Sequence, residues 1–354
     1  EKLNQKKMKS MLSCLRVLVL VLQVYWLCSD DANAFCTTTR NITPRRTAEI
    51  RPAWHADRFL SSLKRCGGTI TAFTTSALHL TSIPCNEGTL VVTRSDQEYN
   101  IGYRLFRPMS LSSRQAAPVV VLHGGPSVPS DYLQPLVDLI HYRSMLFYDQ
   151  LGCGVSDEPT DTTAYSIDWA VRDLEALLKT LSVRRFHLYG QSFGGILAYE
   201  YLKQNVENRD YECLSVVLSS APWNVTQVEQ EANRLIQYLE SPELFRETHQ
   251  CQTREMPEPL VTAYVKAGTV WRGTTAIADY QAVPLSDDEK SLLPSCMVLR
   301  GQHDFVTDPC VEGWRNMFGR RIRYHTLVGC SHHGLLENPA LYGETLESFF
   351  AEYD

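Results

Sequence analysis

The sequence has 354 residues, 44% hydrophobic and 21% charged, which is the composition of a globular protein with enough apolar material for a sizeable core. A formal charge of −6 supplies no broad basic field and argues against a nucleic-acid partner. The eleven cysteines are scattered, with no C-x-x-C pair and no Cys/His cluster, so neither a disulfide framework nor a metal site is expected.

The chain opens with Lys6, Lys7 and Lys9, an apolar run over 15–27 and then Ala32-Asn33-Ala34. Basic, apolar and small-x-small in that order is the pattern of a cleaved secretory signal, residues 1–34, with the cut after Ala34. A membrane anchor is the alternative, but Arg16 and Gln23 interrupt a run already short of the roughly 20 residues a span needs. No membrane association is expected once the leader is removed.

Residues 35–85 carry Arg40, Arg45, Arg46, Arg51, Arg58, Lys64 and Arg65 against only Glu49 and Asp57, among many Ser and Thr. That is the composition of an organellar transit segment. The join Ala32-Asn33-Ala34-Phe35 resembles the A-x-A-F junction of the two-part plastid presequences of diatoms and related algae. The resemblance implies delivery to the plastid; the competing expectation is an ordinary secreted protein with a basic linker.

From residue 86 onward the pattern is that of a folded domain. Runs over 89–93 and 99–106 predict an antiparallel start. Short apolar runs over 118–122, 145–148, 186–189, 214–218, 296–299 and 322–327 predict strands buried on both faces. Helical patterns lie between them; Ser166 is placed to cap a helix whose Trp169, Val171, Leu174, Leu177, Leu178 and Leu181 form one apolar stripe. Strands alternating with helices imply an α/β fold, a mostly parallel sheet covered on both faces. The connection over 221–293 is too long for a crossover and rich in Glu, Gln, Leu and aromatics, so it is expected to be a helical cap inserted into a core of 86–220 and 294–354.

Gly190-Gln191-Ser192-Phe193-Gly194-Gly195 stands between a predicted strand and a predicted helix. That is the setting of a nucleophile elbow, in which small flanking residues allow the sharp turn that exposes a serine hydroxyl. A serine needs a base, and the base needs a third group to hold its tautomer. Asp304 follows the run over 296–299, and His332 and His333 follow the run over 322–327, so the order Ser, Asp, His is met with each candidate after its own strand. Spacing alone does not separate His332 from His333. The amide of Phe193 and the loop His123-Gly124-Gly125-Pro126 are the expected oxyanion donors.

Residues 115–205 resemble the prolyl iminopeptidase family and, within it, the tricorn-interacting aminopeptidases. The resemblance rests on His123-Gly124-Gly125-Pro126-Ser127, on Asp149-Gln150-Leu151-Gly152-Cys153-Gly154-Val155-Ser156 and on the Ser192 elbow. It implies the α/β-hydrolase fold, and the family's G-x-S-H-x-x-x-x-E pattern selects His332 as base, with Glu337 at the matching position. It also implies Gly125 as the second oxyanion donor. The family's loop ends in Gly where this chain has Ser127. The acidic groups with which the family binds a free amino terminus have no counterpart at Phe305 or over 273–277; Glu255 and Glu258 are the candidate replacements.

These readings converge on a serine hydrolase that forms an acyl-enzyme with Ser192, Asp304 and His332 and requires no cofactor. Its expected substrate is a small peptide with N-terminal Pro or another small residue. The rivals are an esterase, lipase or amidase acting on a non-peptide acyl compound, and a non-catalytic binding protein on the same fold.

Overall fold

The computed structural model describes residues 83–354, apart from 109–115 and His141. The expected signal, nearly all of the transit-like segment and the delivery they imply fall outside the described residues.

Eight strands form one sheet: β1 (Cys85–Arg94), β2 (Gln97–Phe106), β3 (Val119–Leu122), β4 (Met145–Tyr148), β5 (Arg185–Gln191), β6 (Glu212–Ser219), β7 (Ser295–Gly301) and β8 (Ile322–Leu327). Their spatial order is β1-β2-β4-β3-β5-β6-β7-β8. The first three strands in that order pair antiparallel, and every later neighbour pairs parallel. Several strands outrun the apolar stretches that marked them. β5, for example, begins at Arg185 and continues through Gly190 and Gln191, because the ladder joins backbone groups and needs no apolar side chain.

The expectation of a sheet buried on both faces is met residue by residue in β3. Val120 and Leu122 join one core cluster, Val119 and Val121 the other, and all four are fully buried. Each such side chain contributes about 1.5–3 kcal/mol of burial. Helices α1 (Ile167–Thr180) and α2 (Phe193–Gln204) cover the first face through Leu174, Leu177, Leu178 and Leu197. The Ser166 side chain caps α1 by accepting from Trp169 N at 3.0 Å, while Trp169 and Leu181 sit half-buried at the edges of the stripe.

Between β6 and β7 the chain forms α3 (Val225–Ile236), a π-helical turn (Arg246–Gln250) and α4 (Glu258–Val265). Helix α4 packs against the 3₁₀ turn Ser130–Leu133 that follows β3. The C-terminal helix α5 (Pro339–Ala351) closes the second face with Leu346, Phe349 and Phe350. Among the described residues no helix is long and apolar enough to cross a membrane.

Because β3, β5, β7 and β8 run parallel, their carboxyl ends share one edge of the sheet. The loops that leave those ends carry Gly125, Ser192, Asp304 and His332.

Candidate active site

Ser192 stands between the last residue of β5 and the first of α2, half-buried, with φ 54° and ψ −118°. A non-glycine residue in that region is disfavoured and is held there by its surroundings. Its amide donates to Ser219 O at 2.8 Å, and its carbonyl accepts from Gly195 N at 2.9 Å. The flanking glycines are sterically required: a Cβ on Gly194 would strike the backbone of Leu122 and His123, and one on Gly190 would strike the backbone of Gly194. The turn is therefore as tight as the motif demands.

Asp304 is 2% exposed, and its Oδ1 lies 2.8 Å from His332 Nδ1. A carboxylate only accepts, so the hydrogen is on Nδ1, and in the neutral form of the ring Nε2 keeps its lone pair. Asp304 Oδ1 also accepts from Val306 N at 2.8 Å. Its Oδ2 is buried with no hydrogen-bond partner among the described residues, which leaves that charge to act on the imidazole. The two loops are laced together, with His303 N donating to Cys330 O at 2.8 Å and Gln302 N to Leu327 O at 2.9 Å. Gly301 permits this approach, since a Cβ there would collide with the carbonyls of Cys330 and Ser331.

The His332 ring stacks on Phe305 with centroids 4.3 Å apart, and His332 N donates to His249 O at 3.3 Å. Glu337 fixes the same loop: its carboxylate accepts from Ser331 N at 2.5 Å, from Ser331 Oγ, and from Gln252 N at 3.0 Å. Ser192 and His332 are each tied to the carboxyl end of β6 through adjacent residues. Ser219 O holds the Ser192 amide, and Ser220 Oγ donates to His332 O at 3.4 Å. Among the described residues no hydrogen bond joins Ser192 Oγ to His332; in unliganded enzymes such bonds are commonly loose until substrate binds.

His333 has other neighbours. It is buried, packs edge-on against Tyr132 with centroids 5.4 Å apart, and is held neutral, since burial and then the neighbouring His332 depress its pKa well below the usual value.

In the loop after β3, Gly125 has φ 117°, and a Cβ there would lie 2.6 Å from Ser127 N and 2.7 Å from Val128 N. Only glycine fits. The Gly125 N–H donates to no acceptor among the described residues, and the Phe193 amide, first in α2, has no partner within the helix. Two unpaired backbone donors thus stand on the loop after β3 and at the start of α2. The loop is braced from behind by Tyr132, whose hydroxyl accepts from Gly124 N at 2.8 Å and donates to Gln191 Oε1 at 2.6 Å. Sequence reading missed this brace, because 59 residues separate Tyr132 from Gln191 and no local pattern links them.

Asp149 is occupied in holding backbone, accepting from Ser130 N at 2.9 Å and Ser130 Oγ at 2.7 Å on one oxygen and from Val155 N at 3.2 Å on the other. His123 donates from Nδ1 to Gly124 O at 3.0 Å and accepts on Nε2 from Gln150 N at 2.8 Å. Burial keeps that ring neutral and pushes the Cys153 thiol beside it well above its usual pKa, so neither is poised as a base or nucleophile.

Among the described residues neither Glu255 nor Glu258 is hydrogen-bonded to Ser192, Asp304 or His332. Both are exposed around the start of α4, and Glu258 Oε1 accepts from Thr262 Oγ1 at 3.1 Å. An aromatic cluster stands next in sequence to Ser192, with Trp271 edge-on to Phe193 at 5.4 Å and stacked on Tyr165 at 5.9 Å. A separate polar cleft of about 460 Å³, lined by Glu231, Arg234, His249, His303 and Thr307 among others, borders Asp304 but not Ser192.

A model of the Alpha/beta hydrolase family matches residues 119–345. A proline iminopeptidase of Saccharolobus solfataricus is 35% identical over 286 residues, covering 71% of this chain and 88% of the relative. One from Lactobacillus delbrueckii subsp. bulgaricus is 29% identical over 278 residues, covering 67% and 91%. In structure, the proline iminopeptidase of Mycobacterium smegmatis superposes with a TM-score of 0.63 at 20% identity over 75% of this chain and 98% of that one, a likeness of fold. With an eight-stranded, mostly parallel sheet and matches that span its core, the chain is a hydrolase and belongs to the proline iminopeptidase family of α/β hydrolases.

Proposed function

We propose that the protein is a serine hydrolase that forms an acyl-enzyme on Ser192 and acts as an aminopeptidase on N-terminal Pro or another small residue. The observation that carries this is the Asp304 Oδ1 to His332 Nδ1 hydrogen bond of 2.8 Å, at the sheet edge where the Ser192 turn emerges. As His332 Nε2 takes the Ser192 proton, Oγ attacks the scissile carbonyl, and the carbonyl π electrons move onto oxygen. The N–H groups of Gly125 and Phe193 stabilise that oxyanion. Collapse breaks the C–N bond as His332 returns the proton to the leaving amine. Water, deprotonated by the same imidazole, then hydrolyses the ester.

The preference for Pro is supported by the relatives' named activity and by the apolar wall of Phe193, Trp271 and Tyr165, which suits a compact ring. A second reading, an acyl esterase or amidase, is favoured by Phe305. Its ring stacks on His332 where an acidic amine anchor would otherwise stand, and a protonated amine loses hydration without such a partner.

The test is fluorophosphonate labelling of wild type and Ser192→Ala, followed by turnover of Pro-β-naphthylamide, its N-acetyl form and an acyl ester. Labelling is expected in the wild type alone, with weak but detectable cleavage of the free-amine substrate. Labelling that survives Ser192→Ala removes the nucleophile. Equal rates on free and N-acetylated substrates remove the aminopeptidase in favour of the esterase. Glu255→Gln and Glu258→Gln are expected to leave KM for the amine substrate within about twofold, since a carboxylate that stays in water anchors an amine weakly.

A further inference from the structure

The segment over 266–273, which leaves α4, lies against both sides of the proposed oxyanion hole. Lys266 O accepts from Gly154 N at 3.0 Å, Gly268 N donates to Ser127 O at 2.9 Å, and Gly273 N donates to Pro126 O at 3.4 Å. Ser127 Oγ donates to Trp271 O at 2.5 Å. A Cβ on Gly268 would collide with Gly152 O and come within 3.1 Å of the Ser127 side chain, so the segment is as close as backbone allows. Glu158 Oε1 receives Thr269 N at 2.5 Å and Val270 N at 3.1 Å, which fixes the segment's outer edge.

Trp271 therefore touches both donors' neighbourhoods at once. Its ring meets Phe193, whose amide is one donor, at 5.4 Å. Its carbonyl is held by Ser127, two residues beyond Gly125, whose amide is the other. Ser127 is 1% exposed and has φ 69°, a conformation that glycine adopts more readily. Its hydroxymethyl group, which makes the bond to Trp271 O, is what glycine could not supply.

We propose that the 266–273 segment is a clamp across the two halves of the oxyanion hole, and that Ser127 is the positioning residue that holds it. Ser127 touches no substrate; it acts by keeping Trp271 on Phe193 and the Gly125 loop in register with the Ser192 turn. The clamp rests on the proposal that Ser192 is the acylated nucleophile. It predicts that loosening Ser127 weakens stabilisation of the developing oxyanion more than substrate binding.

The experiment uses the full chain with p-nitrophenyl acetate as substrate, counting reactive serines by fluorophosphonate titration so that kcat is expressed per competent site. Wild type, Ser127→Ala, Ser127→Gly, Trp271→Ala and the Ser127→Ala/Trp271→Ala double variant are compared. Absence of titratable serine in the wild type removes the Ser192 proposal and the clamp with it. With titration intact, Ser127→Ala and Ser127→Gly are each expected to lower kcat per site about tenfold with KM within about twofold. That is short of the roughly 100-fold or more that loss of a donor costs. Ser127→Gly relieves the backbone, so it remains informative if the alanine variant misfolds. The double variant is expected to lose less than the sum of the two single losses, because Trp271→Ala removes the ring that rests on Phe193 while keeping the carbonyl that Ser127 holds. Unchanged kcat per site in both Ser127 variants overturns the clamp, as do additive losses in the double variant.

Discussion

Asp304 Oδ1 and His332 Nδ1 lie 2.8 Å apart although 28 residues separate them in sequence. The contact depends on Gly301, which lets the two loops touch backbone to backbone. Asp304→Asn keeps the shape and removes the group that demands a hydrogen on Nδ1. The variant is expected to fold with an unchanged unfolding midpoint while kcat falls about 10⁴-fold, as a wrong tautomer costs in serine proteases. A loss below about tenfold would show that Asp304 does not orient the base.

The adjacent histidines separate cleanly. His332→Ala is expected to abolish fluorophosphonate labelling with little loss of stability. His333→Ala removes a neutral, buried ring packed on Tyr132, so labelling is expected to persist while stability drops by about 1–3 kcal/mol. Labelling rates and urea midpoints of the two variants check this, and equal loss of labelling would assign both rings to the base.

Two glycines offer a steric contrast, one at the elbow and one in the loop that leads to His332. A Cβ at Gly194 meets the Leu122 carbonyl, whereas one at Gly329 meets nothing within 4 Å and bears only the strain of φ 73°. Gly194→Ala is expected to eliminate both labelling and cooperative unfolding, because backbone cannot move aside. Gly329→Ala is expected to cost about 1 kcal/mol and leave kcat unchanged.

His187 gives a pH signature away from the site. It is fully buried, its Nδ1 is 2.8 Å from Ser215 Oγ and its Nε2 is 3.2 Å from Asp354 Oδ1. Burial, only partly countered by Asp354, lowers its pKa from 6.5 to about 4. Below about pH 6.5 the unfolded chain takes up a proton that the folded chain refuses, so stability is full above that value and is lost as pH falls towards 4. The ceiling is about 3 kcal/mol at 1.4 kcal/mol per pH unit. Urea midpoints at pH 7 and pH 4.5 should differ less in His187→Gln, which keeps a donor for Asp354 but no titration there. An unchanged difference would place the acid sensitivity elsewhere.

By itself the sequence determined the sheet, the order of the three triad candidates and the glycine-rich turns, because each of those is written locally. A run such as Val119–Leu122 is apolar throughout because both its faces are buried, and a serine between a strand and a helix needs glycine on either side whatever lies elsewhere. Tertiary structure alone decided what joins distant segments. Tyr132 braces the Gly125 loop through Gln191, Ser127 holds Trp271, and Glu255 and Glu258 stand exposed. These depend on loop paths and cap placement, which are set by hydrogen bonds and close approaches between residues tens to more than a hundred positions apart. Such contacts leave no period or local composition for a sequence to display.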